Sequence, residues 1–199
     1  MHDYAIFNHS RATIGRYLGV VAFITASAFT SGFAALSTMT GYTIFAGASL
    51  TSAVVYFILH WSFNRQAWKL KWFDIPDISG VWVVRGETLE EDGSVKYHWS
   101  GELDICQKWE KISITQETKT SSSASYTATL EKRSRTQGGS ILHYAYKNTP
   151  KIDQYQTLQN HTGYCEIKFD EDAKTGEAAY FNSFGRRTFG KMYLTKKEA

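Results

Sequence analysis

The chain has 199 residues, 43% of them hydrophobic, with 22 Lys and Arg against 19 Asp and Glu for a net charge of +3. That length gives room for one ordinary domain and an appendage, and so mild a basic excess argues against a DNA or RNA binder. The two cysteines, Cys106 and Cys165, form no CxxC pair or Cys/His cluster, which argues against a structural zinc or other metal site.

The charge is unevenly distributed. Residues 17–64 contain no Asp, Glu, Lys or Arg, so a polar half conceals an apolar one. Within that stretch, residues 17–39 and 42–63 are each long enough to cross a bilayer as a helix, which takes about 20 residues. Only Thr40 and Gly41 separate them, so a tight two-helix transmembrane hairpin is expected, with both chain ends on one side. Arg11 and Arg16 precede the first span and Arg65, Lys69 and Lys71 follow the second, while the connection is uncharged. The positive-inside tendency then places both termini in the cytoplasm and the protein in a cell membrane as a two-pass species. A cleaved signal peptide, a soluble buried hairpin and a re-entrant hairpin are the competing readings. Ser27, Ser31 and Ala35 recur every four positions, a small-residue row that lets helices approach closely in lipid. Packing within the hairpin and packing between copies are both open uses of it.

Residues 1–72 therefore read as the membrane hairpin and its linker, and residues 73–199 as a separate domain. Past Ile78 the hydrophobic period changes to two. In "VKYHWSGELDI", Tyr97, Trp99, Gly101, Leu103 and Ile105 alternate with Lys96, His98, Ser100, Glu102 and Asp104, as in a strand with one buried and one wet face. The pattern recurs in residues 79–86, 111–118, 123–132, 140–148, 163–169, 177–184 and 187–194, with turn residues between. Eight such strands with short connections predict an antiparallel up-and-down β-barrel of lipocalin type. Both cysteines lie in these runs and are expected to be small buried hydrophobes. Alternation puts Tyr97, Trp99, Tyr126, Tyr144, Tyr146, Tyr180 and Asn182 inside. An interior this rich in Tyr and Trp, with Gly101, Gly163 and Gly190 adding no volume, favours a cavity over a filled core. Trp82 fits a floor residue better than a ligand contact, and residues 149–159 form a candidate lid.

No P-loop, GxGxxG, HExxH or GxSxG motif occurs, so nothing supports catalysis and the chain is not expected to be an enzyme. His98 and His143 fall on outer strand faces.

A charge-free hairpin, an aromatic and basic linker, Asp77-Ile78-Ser79-Gly80-Val81-Trp82, and a closing run with Gly176, Tyr180, Asn182, Arg187, Gly190 and Met192 stand in that order. In this the chain resembles the SMODS-associating two-transmembrane β-strand-rich effectors of bacterial CBASS antiphage defence. The resemblance implies a cytoplasmic barrel that binds a cyclic dinucleotide second messenger made by a CD-NTase-type synthase. It implies no cofactor, ligand-induced homo-oligomerisation, and disruption of the lipid of the inner membrane leading to cell death. Bases would stack on Tyr97, Trp99, Tyr126, Tyr144 and Tyr146, phosphates would meet Arg186 or Arg187, and Asn182 would read a base edge or ribose hydroxyl. The alternatives are a membrane-tethered carrier of a small apolar molecule and a structural membrane anchor.

Overall fold

The computed structural model describes residues 1–41, 51–134, 136–156, 158–183 and 186–198. The chain divides into two compact units, residues 9–70 and residues 1–8 with 71–199.

The first eight residues, assigned to the membrane half on sequence grounds, pair with the barrel. β1 (His2–Asp3) lies antiparallel to the fifth strand and β2 (Ala5–Ile6) runs parallel to the sixth. Tyr4 between them is buried and donates its hydroxyl to the Lys108 carbonyl at 3.0 Å.

In the helical unit, α1 (Arg11–Thr40) starts at a Ser10 cap that accepts from the Thr13 N–H, and stops at Gly41, whose φ of 69° only glycine adopts freely. Its 30 residues span about 45 Å, more than a bilayer core needs. The hydroxyls of Thr30 and Thr40 donate to carbonyls four residues back, at 2.9 Å each, which satisfies them without water. α2 (Ser52–Arg65) follows a Thr51 cap, and Val55 and Leu59 pack on Ala22 and Ala26 of α1. The expected pair of full spans is corrected in part: among the described residues, one helix is long and apolar enough to cross a membrane. The second has 14 described residues, because 42–50, the start of the expected second span, lie outside the described residues. Ser27, Ser31 and Ala35 are all exposed on α1, and among the described residues Ala22 and Ala26 make the α1–α2 contact.

The second unit is the expected eight-stranded antiparallel barrel: β3 (Gly80–Leu89), β4 (Val95–Gln107), β5 (Lys111–Thr118), β6 (Ser121–Lys132), β7 (Ser140–Pro150), β8 (His161–Phe169), β9 (Thr175–Asn182) and β10 (Phe189–Lys196). Each strand pairs with the next, and β10 closes on β3 through Phe189↔Leu89 to Lys196↔Trp82. The β5–β6 seam is short, from Thr115↔Ala124 to Glu117↔Ser122, and β1 and β2 cover the strand lengths that it leaves unpaired.

The inward face changes character along the barrel axis. At one end Trp82, Leu103, Ile105, Ile112, Ile114, Leu130, Leu142, Ile167, Phe169 and Leu194 are fully buried. Trp82 packs its ring 4.8 Å from Phe169 and donates Nε1–H to the Ile78 carbonyl, which makes it part of a solid floor. Towards the other end the inward positions become Thr88, Trp99, Tyr97, Ser123, Ser121, Tyr146, Asn148, His161 and Asn182, and the barrel opens. Half of it is a packed core and half is hollow.

Two expectations fail for readable reasons. Tyr126 is 56% exposed, because a bulge between Ser125 and Thr127 shifts the register against β7. Ser121 and Ser123 are inward before it, Ala128 and Leu130 after it, and Tyr126 is the extra residue. Cys106 is exposed while Cys165 is buried, and both are free thiols; Cys106 lies between inward Ile105 and inward Gln107.

Candidate ligand-binding site

The hollow end holds a cavity of about 550 Å³, within the range of small-molecule sites. Its aromatic wall depends on glycine. Trp99 lies opposite Gly86, Tyr146 opposite Gly163, and Tyr180 opposite Gly190 in the strand pairing. A Cβ on Gly86 would sit 2.1 Å from the Trp99 ring, one on Gly163 2.5 Å from Tyr146, and one on Gly190 2.8 Å from the Tyr180 hydroxyl. The Trp99 ring therefore lies against the Gly86 backbone and the phenol end of Tyr146 against Gly163, where a side chain would lift them, while a side chain at Gly190 would first meet the Glu87 carbonyl, 1.9 Å from its Cβ.

Hydrogen bonds fix these rings further. Tyr180 shares its hydroxyl with Thr88 at 2.8 Å and accepts from Trp99 Nε1 at 3.1 Å. Tyr146 donates to Asn182 Oδ1 at 2.8 Å, and Asn182 Nδ2 donates to Thr188 at 2.8 Å. Burial holds the phenols of Tyr144, Tyr146 and Tyr180 above the ordinary tyrosine range, so they remain protonated donors at neutral pH.

The mouth is cationic. Arg186, in the turn between β9 and β10, donates Nη2–H to the Tyr97 hydroxyl of β4 at 2.7 Å. Lys119 stands on the turn after β5, and His161 begins β8. Among the described residues no Asp or Glu lines the cavity. The segment between β7 and β8 covers one side: Lys151 N–H bonds the Thr120 carbonyl at 2.9 Å, and Gln154 and Leu158 line the cavity, as a lid would.

Of the residues expected at the site, Tyr97, Trp99, Tyr144, Tyr146, Asn182 and Arg186 are brought together on this cavity. Tyr126 is outside the barrel. Arg187 is exposed, at a φ of 42°, and does not line the cavity; the turn aims one arginine inward and the next outward. Asn182 has both amide atoms engaged within the protein, so it serves first to hold Tyr146. His161, Thr88 and Asn148 also line the cavity and were missed, although alternation back from Cys165 and Gly163 reaches His161. His98 sits at the rim with its side chain 74% exposed, and His143 bonds Tyr164 on the outer wall at 2.7 Å.

The arrangement offers flat aromatic faces for stacking, phenol and amide donors inside, and a guanidinium at the entrance. It suits a ligand with planar rings and negative charge.

Comparison with known proteins agrees. Residues 73–196 match the family described as Cap15, cyclic dinucleotide receptor domain, and residues 12–69 match Cap15, TM helices. CD-NTase-associated protein 15 from Yersinia aleksiciae is 34% identical over 209 residues, covering 99% of this chain and 98% of that protein.

Proposed function

The chain belongs to the Cap15 family, and from that premise we propose that it is a membrane-anchored receptor and effector of antiphage defence. A cyclic dinucleotide made by a CD-NTase-type synthase enters the open end of the barrel. Its bases stack on Trp99, Tyr144, Tyr146 or Tyr180, and its phosphates meet Arg186. The observation that carries this reading is the cavity itself: aromatic, free of carboxylates among the described residues, and bridged at its mouth by Arg186 to Tyr97.

Binding then drives self-association, because a ligand shifts only an equilibrium whose states it binds differently. Clustering raises the effective concentration of the helices, and the exposed row of Ser27, Ser31 and Ala35 packs between copies. The inner membrane is thereby breached and the cell dies. Residues 1–8 and 71–199 fold as one unit, which supports a two-pass hairpin with both ends on one side of the membrane, and the basic residues flanking the apolar stretch favour the cytoplasmic side. No step needs a catalytic residue.

The second reading, a tethered carrier of an apolar molecule, fits the site less well. An apolar ligand would leave the Arg186 charge at the mouth without a counter-charge, since no carboxylate lines the cavity among the described residues.

The test uses full-length protein reconstituted in vesicles loaded with a self-quenching dye. Addition of the cognate cyclic dinucleotide is expected to produce higher-order assemblies and dye release. Binding without assembly or release would leave a receptor and remove the effector. Lipid that co-purifies with the barrel, in a protein with no nucleotide affinity, would establish the carrier.

A further inference from the structure

His161 is the first inward residue of β8, directly opposite Asn148 of β7 in the strand register and 6% exposed. Its Nδ1 lies 3.0 Å from the Gln159 carbonyl oxygen. A carbonyl only accepts, so Nδ1 carries the hydrogen, and in the neutral ring the lone pair is on Nε2.

The ionisable groups that line the cavity together with this ring come from several elements. Arg186 reaches in from the β9–β10 turn, Tyr144 and Tyr146 stand on β7, Tyr180 on β9, Tyr97 and His98 on β4, and Lys119 on the turn after β5. The phenols of Tyr144, Tyr146 and Tyr180 are held protonated by burial, and no carboxylate joins the group among the described lining residues. Burial, and then the Arg186 charge, lowers the His161 pKa below 6.5, while the bond to Gln159 works the other way. The cavity wall therefore presents a neutral imidazole and a guanidinium, with no carboxylate among the described lining residues. A phosphodiester would supply the counter-charge and an acceptor for a second N–H.

We propose that His161 is a ligand-contact residue that takes up a proton when the anionic ligand enters, so that signal binding tightens on acidification. The inference rests on the receptor reading above and adds to it a residue and a proton. The proton comes from solvent and goes to Nε2, the Nδ1 hydrogen stays on Nδ1 and is still donated to the Gln159 carbonyl, and no bond in the ligand is made or broken. The free protein has the lower histidine pKa and the complex the higher one. Affinity is flat above the higher value and below the lower one. Between them it rises by up to about tenfold for each pH unit of acidification.

Calorimetry on the full-length protein in detergent micelles tests this. The probes are cyclic dinucleotides built from adenine, guanine, cytosine and uracil, at pH 6, 7 and 8, in paired buffers of different ionisation enthalpy. The tightest probe is expected to bind at least threefold more tightly at pH 6 than at pH 8, with net uptake of a fraction of one proton at pH 7. His161→Gln should bind it with no proton uptake and a flat pH profile, and His143→Gln, on the outer wall of the barrel, should keep both. If His161→Gln melts below the working temperature, His161→Asn replaces it, and histidine ring NMR of the wild-type chain reports protonation without any variant. Wild-type binding that does not vary with pH, or proton uptake that survives in His161→Gln, overturns the role of His161 and leaves the receptor reading standing. No binding by any probe at any of the three pH values overturns the receptor reading, and this inference with it.

Discussion

Gly86→Ala adds one methyl group and perturbs the aromatic wall at its most confined contact. The new Cβ would lie 2.1, 2.3 and 2.5 Å from three atoms of the Trp99 ring. Carbon atoms pack comfortably at about 3.5 Å, so the ring must lift by roughly 1.4 Å. The Trp99 Nε1 to Tyr180 hydroxyl distance is already 3.1 Å, so this bond breaks, at about 0.5–1.5 kcal/mol. The edge-on Trp99–Tyr180 contact, 5.8 Å between centroids, loses a further ~0.5–1.5 kcal/mol. Removing a strand glycine returns about 0.5–1 kcal/mol, so the net destabilisation is on the order of 1–2 kcal/mol. Ligand affinity should suffer as well, since one displaced stacking platform is worth about 1–3 kcal/mol, or roughly 5- to 150-fold. The assay is thermal unfolding and calorimetric titration of full-length Gly86→Ala beside wild type. Trp99→Leu and the double variant complete a cycle. Because the ring is what the methyl group strikes, Gly86→Ala should be nearly harmless to stability once Trp99 is gone. Wild-type melting and affinity in Gly86→Ala, or additive effects in the double variant, would refute the seating of Trp99 on Gly86.

Arg187→Ala and Tyr126→Ala should each bind ligand within about twofold of wild type in calorimetry, since both side chains are exposed away from the cavity and surface changes rarely exceed about 0.5 kcal/mol. Ser31→Leu should keep wild-type ligand affinity and lose most dye release from vesicles, because a bulky side chain blocks close helix approach in lipid. Alkylation at pH 8 should modify Cys106 and spare Cys165, whose thiol is pushed up to about 12 by burial; mass spectrometry of peptides reads this directly, and equal modification would contradict the buried position.

The barrel was legible because period-two alternation runs through most of the strands, and because short connections leave little choice beyond neighbour pairing. The floor and the hollow were implicit in the same pattern. Trp82 lies opposite Leu103, and Tyr146, Gly163 and Asn182 form one row across three strands. Tyr126 was misplaced because a bulge adds one residue without any turn signal, and extrapolation from Leu130 passed through it. Cys106 was misplaced by residue type, when its position between Ile105 and Gln107 already put it outside. The choice between Arg186 and Arg187 depends on backbone angles in a turn, which neither composition nor period encodes. His161 was reachable by counting back from Cys165 in steps of two, but no motif marks it. The pairing of residues 1–8 with β5 and β6 had no local signal, because two-residue strands are too short to show a period.

The most direct test of the cavity as the receptor site is a calorimetric titration of full-length wild type and Arg186→Ala with the same panel of cyclic dinucleotides. Arg186 is the guanidinium that closes the mouth onto Tyr97, and a charge-assisted contact to phosphate contributes about 1.5–3 kcal/mol. The account predicts saturable binding of at least one cyclic dinucleotide by wild type, with affinity falling roughly 10- to 150-fold in Arg186→Ala. Absence of binding by wild type, or an affinity that Arg186→Ala leaves unchanged, would contradict it.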